Sequence, residues 1–218
     1  MKVIVVCIEC LEYDFLKKCD TPNMAKLNPH PAMSYGSTTR AAVPAILGGL
    51  LPECVYNCDY HRFKWANPFF LTDLRRKTNL LLYINNGWVF ELLAPFMPSW
   101  LRKKNLDWHD RHSDLPTEEM IDDFMSLDLG NYFAYFHVIE THPPFYVPAT
   151  KGKSVDERRR EAVEWVDTQI GRLMELDYDC LVVCSDHALE HNTAGDRGFK
   201  SFIACDVRNE KARTLWQM

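Results

Sequence analysis

The sequence contains no uninterrupted apolar run near the roughly 18 residues that a bilayer-spanning helix requires, so no membrane anchor is expected in this chain. It also lacks basic excess. The formal net charge of −5 gives no electrostatic footprint for nucleic acid, whose binders normally carry a clustered basic face, and sets it aside as a partner. Repeats, linkers and low-complexity tracts are missing too. At 47% hydrophobic, 218 residues are enough for a single domain over 1–218 with a sizeable core. Met1 is followed at once by the strand-like run KVIVVCI, so no secretory signal is expected. A cytoplasmic protein whose eight cysteines are reduced and mostly buried is therefore expected. Cys7 and Cys10 form a C-x-x-C, but no second pair follows at zinc-ribbon spacing, and Cys54 with Cys58 adds little.

What the chain does have is a series of apolar runs, several of which stop abruptly at reactive side chains. Cys180–Cys184 is apolar at every position, as in a strand covered on both faces, and Asp186 and His187 follow it. The β-branched run Lys2–Ile8 ends at Glu9, and the aromatic run YFAYFHVI over 132–139 ends at Glu140, Thr141 and His142. TNLLLYINN over 78–86 reads as a further buried strand, Met33–Tyr35 as a short one and FKSFIACDV over 199–207 as an edge strand.

Helical patterns separate these strands. LEYDFLKK forms a short helix, and TPNMAKL places Thr21 as N-cap before Pro22. GSTTRAAVPAILGGLLP is a polar turn entering a helix that Gly48 and Gly49 close, with Pro44 expected in its first turn. PFFLTDLRRK and GWVFELLAPF are helical, Thr117–Met125 starts with a capping-box pattern, and NEKARTLWQ forms a last helix. Asp156–Leu176 gives the clearest stripe, with Ala162, Val163, Val166, Ile170, Leu173 and Met174 on one face. Strands alternating with helices imply an α/β fold: a mostly parallel central sheet with helices on both faces and its strand carboxyl ends along one edge.

Ligands bind outside the carboxyl ends of strands in such sheets, so Glu9, His142, Asp186 and His187 are candidates for one site. An Asp-His pair alone matches often by chance, and taken by itself a capped loop with a surface histidine accounts for it better. Recurrence after separate strands is what favours a metal. Two carboxylates and an imidazole suit zinc or manganese, and a fourth ligand is needed. DWHDRHSD carries His109 and His112 at a spacing that could bind metal, although a polar surface loop is the better reading of it. It is kept as a substrate loop, with Arg111 as a candidate substrate-binding residue.

CIECLEYDFL, TPNMAKL, TTRAAVPAILGGLLP, HVIETHPPFYVP, AVEWVDTQIGRLMEL and VVCSDHA occur in that order, and the ordered set resembles the sulfatase-like branch of the alkaline phosphatase superfamily. A Glu as first ligand with a Thr nucleophile is the pattern of lipoteichoic acid synthases and lipid A phosphoethanolamine transferases. Arylsulfatases, in contrast, start with paired aspartates and need a Cys. The resemblance implies an alkaline phosphatase-like fold with a shortened C-terminal region. It makes Thr39 the nucleophile, with Thr38 as the alternative. One divalent metal, Zn or Mn, would be held by Glu9, Thr39, Asp186 and His187, with His142 facing the transferred group.

The implied activity is hydrolysis or transfer of a small phosphate or sulfate ester through a covalent threonine intermediate. A hydroxyl at a helix start suits that role, because free backbone N–H groups there favour an anion. Ala188 stands where the family usually has Gly, and the segment after His191 is very short. A non-catalytic descendant that binds a ligand or protein is the alternative.

Overall fold

The computed structural model describes residues 1–48, 69–110, 116–145, 153–189 and 200–209, without the side chains of 69, 70, 106–110 and 116. Six strands form one sheet: β1 (Lys2–Ile8), β2 (His30–Met33), β3 (Asn79–Ile84), β4 (Tyr132–Val138), β5 (Cys180–Ser185) and β6 (Lys200–Val207), in the order β2-β6-β5-β1-β4-β3. β5, β1, β4 and β3 are mutually parallel, and β6 runs antiparallel to both β5 and β2. The expected strands at 2–8, 78–84, 132–139 and 180–185 are thus present, and their carboxyl ends lie along one edge.

FKSFIACDV is not an edge strand. Its β6 lies inside the sheet, because His30–Met33 pairs with its outer side. That outer strand begins three residues before the short strand expected at Met33–Tyr35. Pro31 is tolerated in it because β2 bonds to a neighbour on one side only.

Register decides which side chains meet. Ile8 pairs with Val138 on one side and Ser185 on the other, so Glu9, Ile139 and Asp186 follow abreast. Because side chains alternate across a sheet, Ile4, Val6, Ile8, Phe136 and Val138 pack on one face and Cys7, Tyr135 and Cys184 on the other. The first face is covered by α8 (Val155–Met174) and α7 (Pro116–Met125), through Val163, Val166, Ile170, Leu173, Met120, Ile121 and Phe124. The second is covered by α3 (Thr39–Gly48) and α5 (Gly87–Leu93), through Val43, Leu47, Val89 and Leu93. Glu9, His137 and Asp186 share the parity of Cys7, Tyr135 and Cys184, which turns them towards α3 and α5.

The remaining described helices are α1 (Tyr13–Leu16), α2 (Pro22–Lys26), α4 (Phe69–Lys77) and α6 (Ser99–Asp110), with a single 3₁₀ turn at Ala94–Phe96. Two expectations for helix starts need correction. Thr38 carbonyl accepts from Ala41 and Ala42, so α3 begins at Thr39 and Pro44 lies in its second turn; the missing proline N–H there removes one helical bond. Thr117 is not an N-cap, because α7 begins at Pro116 and the Thr117 hydroxyl donates to Glu140 instead. The N-terminus of α8 does carry a capping box, formed by Ser154 and Glu157. The segment NEKARTLWQ lies outside the described residues except for its first residue, Asn209.

Two of the motifs in the sequence meet in space. Asp167 of α8 accepts from the backbone N–H groups of Asn23 (3.1 Å) and Met24 (2.7 Å), and from the Asn23 side-chain amide (3.1 Å). Gly171 lies one turn further along, where a Cβ would come within 2.7 Å of that amide. The T-P-N segment is thereby tied to the V-D-x-x-I-G helix. Asp167→Ala strips three donors of a partner at a buried position and should cost about 1–3 kcal/mol. Urea unfolding checks this, and an unchanged midpoint would show that the contact is incidental.

Candidate active site

Glu9, Thr39, Asp186 and His187 converge on one point and are all buried. Thr39 Oγ1 lies 3.1 Å from Glu9 Oε1 and 3.1 Å from His187 Nε2, and His187 Nε2 lies 3.3 Å from Asp186 Oδ2. Glu9 and Asp186 are held by main-chain bonds that extend the ladder past the strand ends, Glu9 N–H to Val138 (2.9 Å) and Asp186 N–H to Ile8 (3.4 Å). Thr141 hydroxyl donates to the Glu9 carbonyl. Thr39 arrives from the opposite layer as the first residue of α3. Thr38, the alternative nucleophile, stands one residue outside that helix.

The two carboxylates are handled alike. Glu9 Oε2 accepts from Asn86 Nδ2 (2.7 Å) and lies 3.1 Å from His137 Nε2. Asp186 Oδ1 accepts from the Cys10 N–H (3.1 Å) and the His187 N–H (2.8 Å). In each, the other oxygen faces the convergence point. Asp186 Oδ2 is buried and accepts no hydrogen bond among the described residues. Burial works against the Glu9 charge, but His137 through its hydrogen bond and charge, His142 through its charge and Asn86 through its amide outweigh it and hold the carboxyl at about 2. Asp186 gets less help, and burial pushes its carboxyl above the usual range despite His187.

An unpaired buried carboxylate oxygen is costly unless a cation or donor faces it. Donors sharing one ion at about 2.0–2.2 Å stand roughly 3–3.5 Å apart, and the separations here match. Glu9, Asp186 and His187 each offer one ligand atom within 4.8 Å of the others, and so do Glu9, Cys10 and His142. The residues present therefore fit a metal ion.

His142 is brought to the same place, but at the rim. Its side chain is 35% exposed, its Nδ1 lies 2.7 Å from the Pro143 carbonyl, and its Nε2 lies 4.0 Å from Glu9 Oε1. Arg111, His112 and His191 lie outside the described residues, as do Cys54 and Cys58. Of His109 only the backbone is described, within α6. The six described cysteines are free thiols.

Sequence reading missed His137 and Asn86. His137 is the one imidazole in a β4 otherwise made of aromatic and aliphatic residues, and Asn86 is the N-cap of α5, its Oδ1 accepting from Trp88 (2.9 Å) and Val89 (3.4 Å). A lone imidazole on the buried face of an apolar strand was the available signal.

The fold is that of the alkaline phosphatase superfamily. A protein of that superfamily from Vibrio parahaemolyticus aligns with 96% of this chain and 60% of its own, at TM-score 0.59 and 14% identity. The C-terminal periplasmic domain of EcEptC from Escherichia coli, in complex with Zn, aligns with 98% of this chain and 74% of its own, at TM-score 0.56 and 12% identity. The phosphonate monoester hydrolase of Agrobacterium radiobacter gives TM-score 0.58 over 94% of this chain and 67% of its own, at 15% identity. The chain thus spans about 60–74% of the length of these solved structures. The sequence matches no protein-family model and no curated protein. No helix among the described residues is long and apolar enough to cross a membrane.

A further buried acid stands behind the site. Glu140 accepts from the Thr117 N–H (3.1 Å), the Thr117 hydroxyl (2.8 Å) and Asn85 Nδ2 (3.5 Å), joining the starts of α7 and of the His142 loop. Burial raises its carboxyl above the usual range, so it gains little from being charged. Glu140→Gln should therefore be milder than Glu140→Ala, which leaves those donors unpaired and should cost about 1–3 kcal/mol. Equal losses in thermal unfolding would contradict this account.

Proposed function

We propose that this protein is a metal-dependent hydrolase or transferase of phosphate or sulfate esters that works through a covalent intermediate on Thr39. The carrying observation is the buried Asp186 Oδ2, which accepts no hydrogen bond among the described residues and converges with Glu9 Oε1, His187 Nε2 and Thr39 Oγ1. Glu9, Thr39, Asp186 and His187 would hold one divalent ion, zinc or manganese. Such an ion supplies a Lewis acid that lowers the pKa of the threonine hydroxyl.

Thr39 Oγ1 then bonds to phosphorus or sulfur while the bond to the ester oxygen breaks. His142 Nε2, near the reacting group and open to solvent, protonates the departing alcohol. Attack by water, or by an acceptor alcohol, on the same phosphorus or sulfur returns Thr39 to the free hydroxyl. The start of α3 favours this chemistry, since backbone N–H groups in a first helical turn point towards an anion. The solved phosphonate monoester hydrolase with the same fold, and the EcEptC domain in complex with Zn, support the reaction class and the ion. Arg111 is proposed to join His142 in binding the substrate. The competing reading is a non-catalytic binding module that keeps the fold and the metal.

Thr39→Ala should abolish turnover of aryl phosphate or sulfate esters, whereas Thr39→Ser keeps a primary hydroxyl and should retain part of it; wild-type rates in Thr39→Ala would eliminate the mechanism. Asp186→Ala should strip the metal, and elemental analysis after gel filtration reads this directly. His142→Ala should lower turnover by about 10²–10⁴ with metal content unchanged. A wild-type protein that binds metal but turns over no ester would favour the binding module.

A further inference from the structure

Glu9 is the only candidate ligand whose second oxygen is occupied entirely by side chains from other strands and helices. His137 reaches it from β4 across 128 positions of sequence and Asn86 from the start of α5 across 77. Both donors are themselves fixed. The Asn86 carbonyl oxygen caps α5, which obliges its NH₂ to face Glu9. His137 is fully buried, and its other nitrogen lies 3.1 Å from the Tyr135 hydroxyl. With Nδ1 against that hydroxyl, the ring turns Nε2 towards Glu9, 3.1 Å away. On the other side, His187 Nδ1 lies 2.7 Å from the Ala188 carbonyl, which commits Nδ1 as the donor and leaves Nε2 as the atom facing Thr39.

We propose that His137 and Asn86 are positioning residues that hold Glu9 to a single donor oxygen, so that the chain offers an ion four atoms, one from each ligand residue. This rests on the metal-site reading above. Two carboxylates that cannot turn their second oxygens inward make a compact four-donor set, which suits Zn²⁺ over the larger oxygen-rich shells preferred by Mn²⁺ or Ca²⁺. Outer partners of this type generally fix ligand orientation, and losing one costs about 10–100-fold in metal affinity.

Cobalt(II) tests the idea without recourse to turnover, since it occupies zinc sites and absorbs visible light strongly when four-coordinate but weakly when six-coordinate. Metal-free wild-type protein titrated with Co²⁺ should develop an intense band. His137→Leu should weaken both the band and the affinity, the latter by about 10–100-fold, and should narrow the preference for Zn²⁺ over Mn²⁺. His137→Gln restores an amide donor near the Nε2 position and should recover the band. Asn86→Asp keeps the helix cap while removing the donor to Glu9, and it should reproduce the loss even if His137→Leu fails to fold. A weak band in the wild type, or an unchanged band in Asn86→Asp and His137→Leu, overturns the positioning role and leaves the metal site standing. If no Co²⁺ binds, or if binding survives Asp186→Ala, the metal-site reading itself fails.

Discussion

The site depends on keeping a carboxylate ionised where water hardly reaches it. Glu9 is 3% exposed, and burial alone would neutralise it. Its charge survives because donors arrive from two other parts of the chain, and their arrival depends on strand register. Cys7 pairs with His137 and with Cys184, so all three side chains point to the same face. A slip of one residue between β1 and β4 would send His137 to the other face and leave Glu9 without its imidazole. Packing of Ile4, Val6 and Ile8 against Phe136, Val138 and Val183 on the opposite face opposes such a slip. The apolar packing on one face of the sheet therefore fixes an electrostatic feature on the other.

That dependence explains what could be read from sequence. β1, β3, β4 and β5 are covered on both faces, so their runs are apolar at nearly every position and stop where the cover stops. Glu9, Asp186 and His187 were visible for that reason: they follow the stops. Thr39 was reached by resemblance, since a threonine in the turn S-T-T looks the same whether it caps a helix or attacks an ester. β6 and β2 were misjudged because both depend on a long-range antiparallel pairing, and Pro31 argued against a strand in any position but the edge it occupies. Thr117 fitted a capping box locally, but its hydroxyl donates to the buried Glu140 side chain instead. His137 and Asn86 stayed hidden because their contacts span 128 and 77 positions of sequence. No local pattern distinguishes them from a tolerated strand histidine and a turn asparagine.

The turn after β1 shows how α8 serves the site from a distance. Cys10 adopts φ 59°, a left-handed conformation uncommon outside glycine, and its N–H points to Asp186 as a result. Arg159 of α8 holds that turn: one guanidinium nitrogen donates to the Cys10 carbonyl (2.9 Å), and the group pairs with Glu12 while lying over the Phe15 ring. A mostly buried ion pair contributes little net stability, because desolvation offsets attraction. Its use here is geometric. Together with Asp167, which grips α2, it makes one helix the clamp for both segments that follow β1.

His142 contrasts with this rigid shell. The four candidate ligands are buried, whereas His142 is about one-third exposed on a loop. The two environments suit two tasks. An ion is held best by donors that cannot move and from which water is excluded, since excluded water strengthens each contact. A group that protonates a departing alcohol must recover its proton before the next cycle, which a fully buried imidazole could do only through a relay. With Nδ1 occupied by the Pro143 carbonyl, His142 presents Nε2 to Glu9 and the space beside Thr39. In the proposed reaction solvent would supply and remove that proton, and the Glu140 network ties the start of the His142 loop to α7.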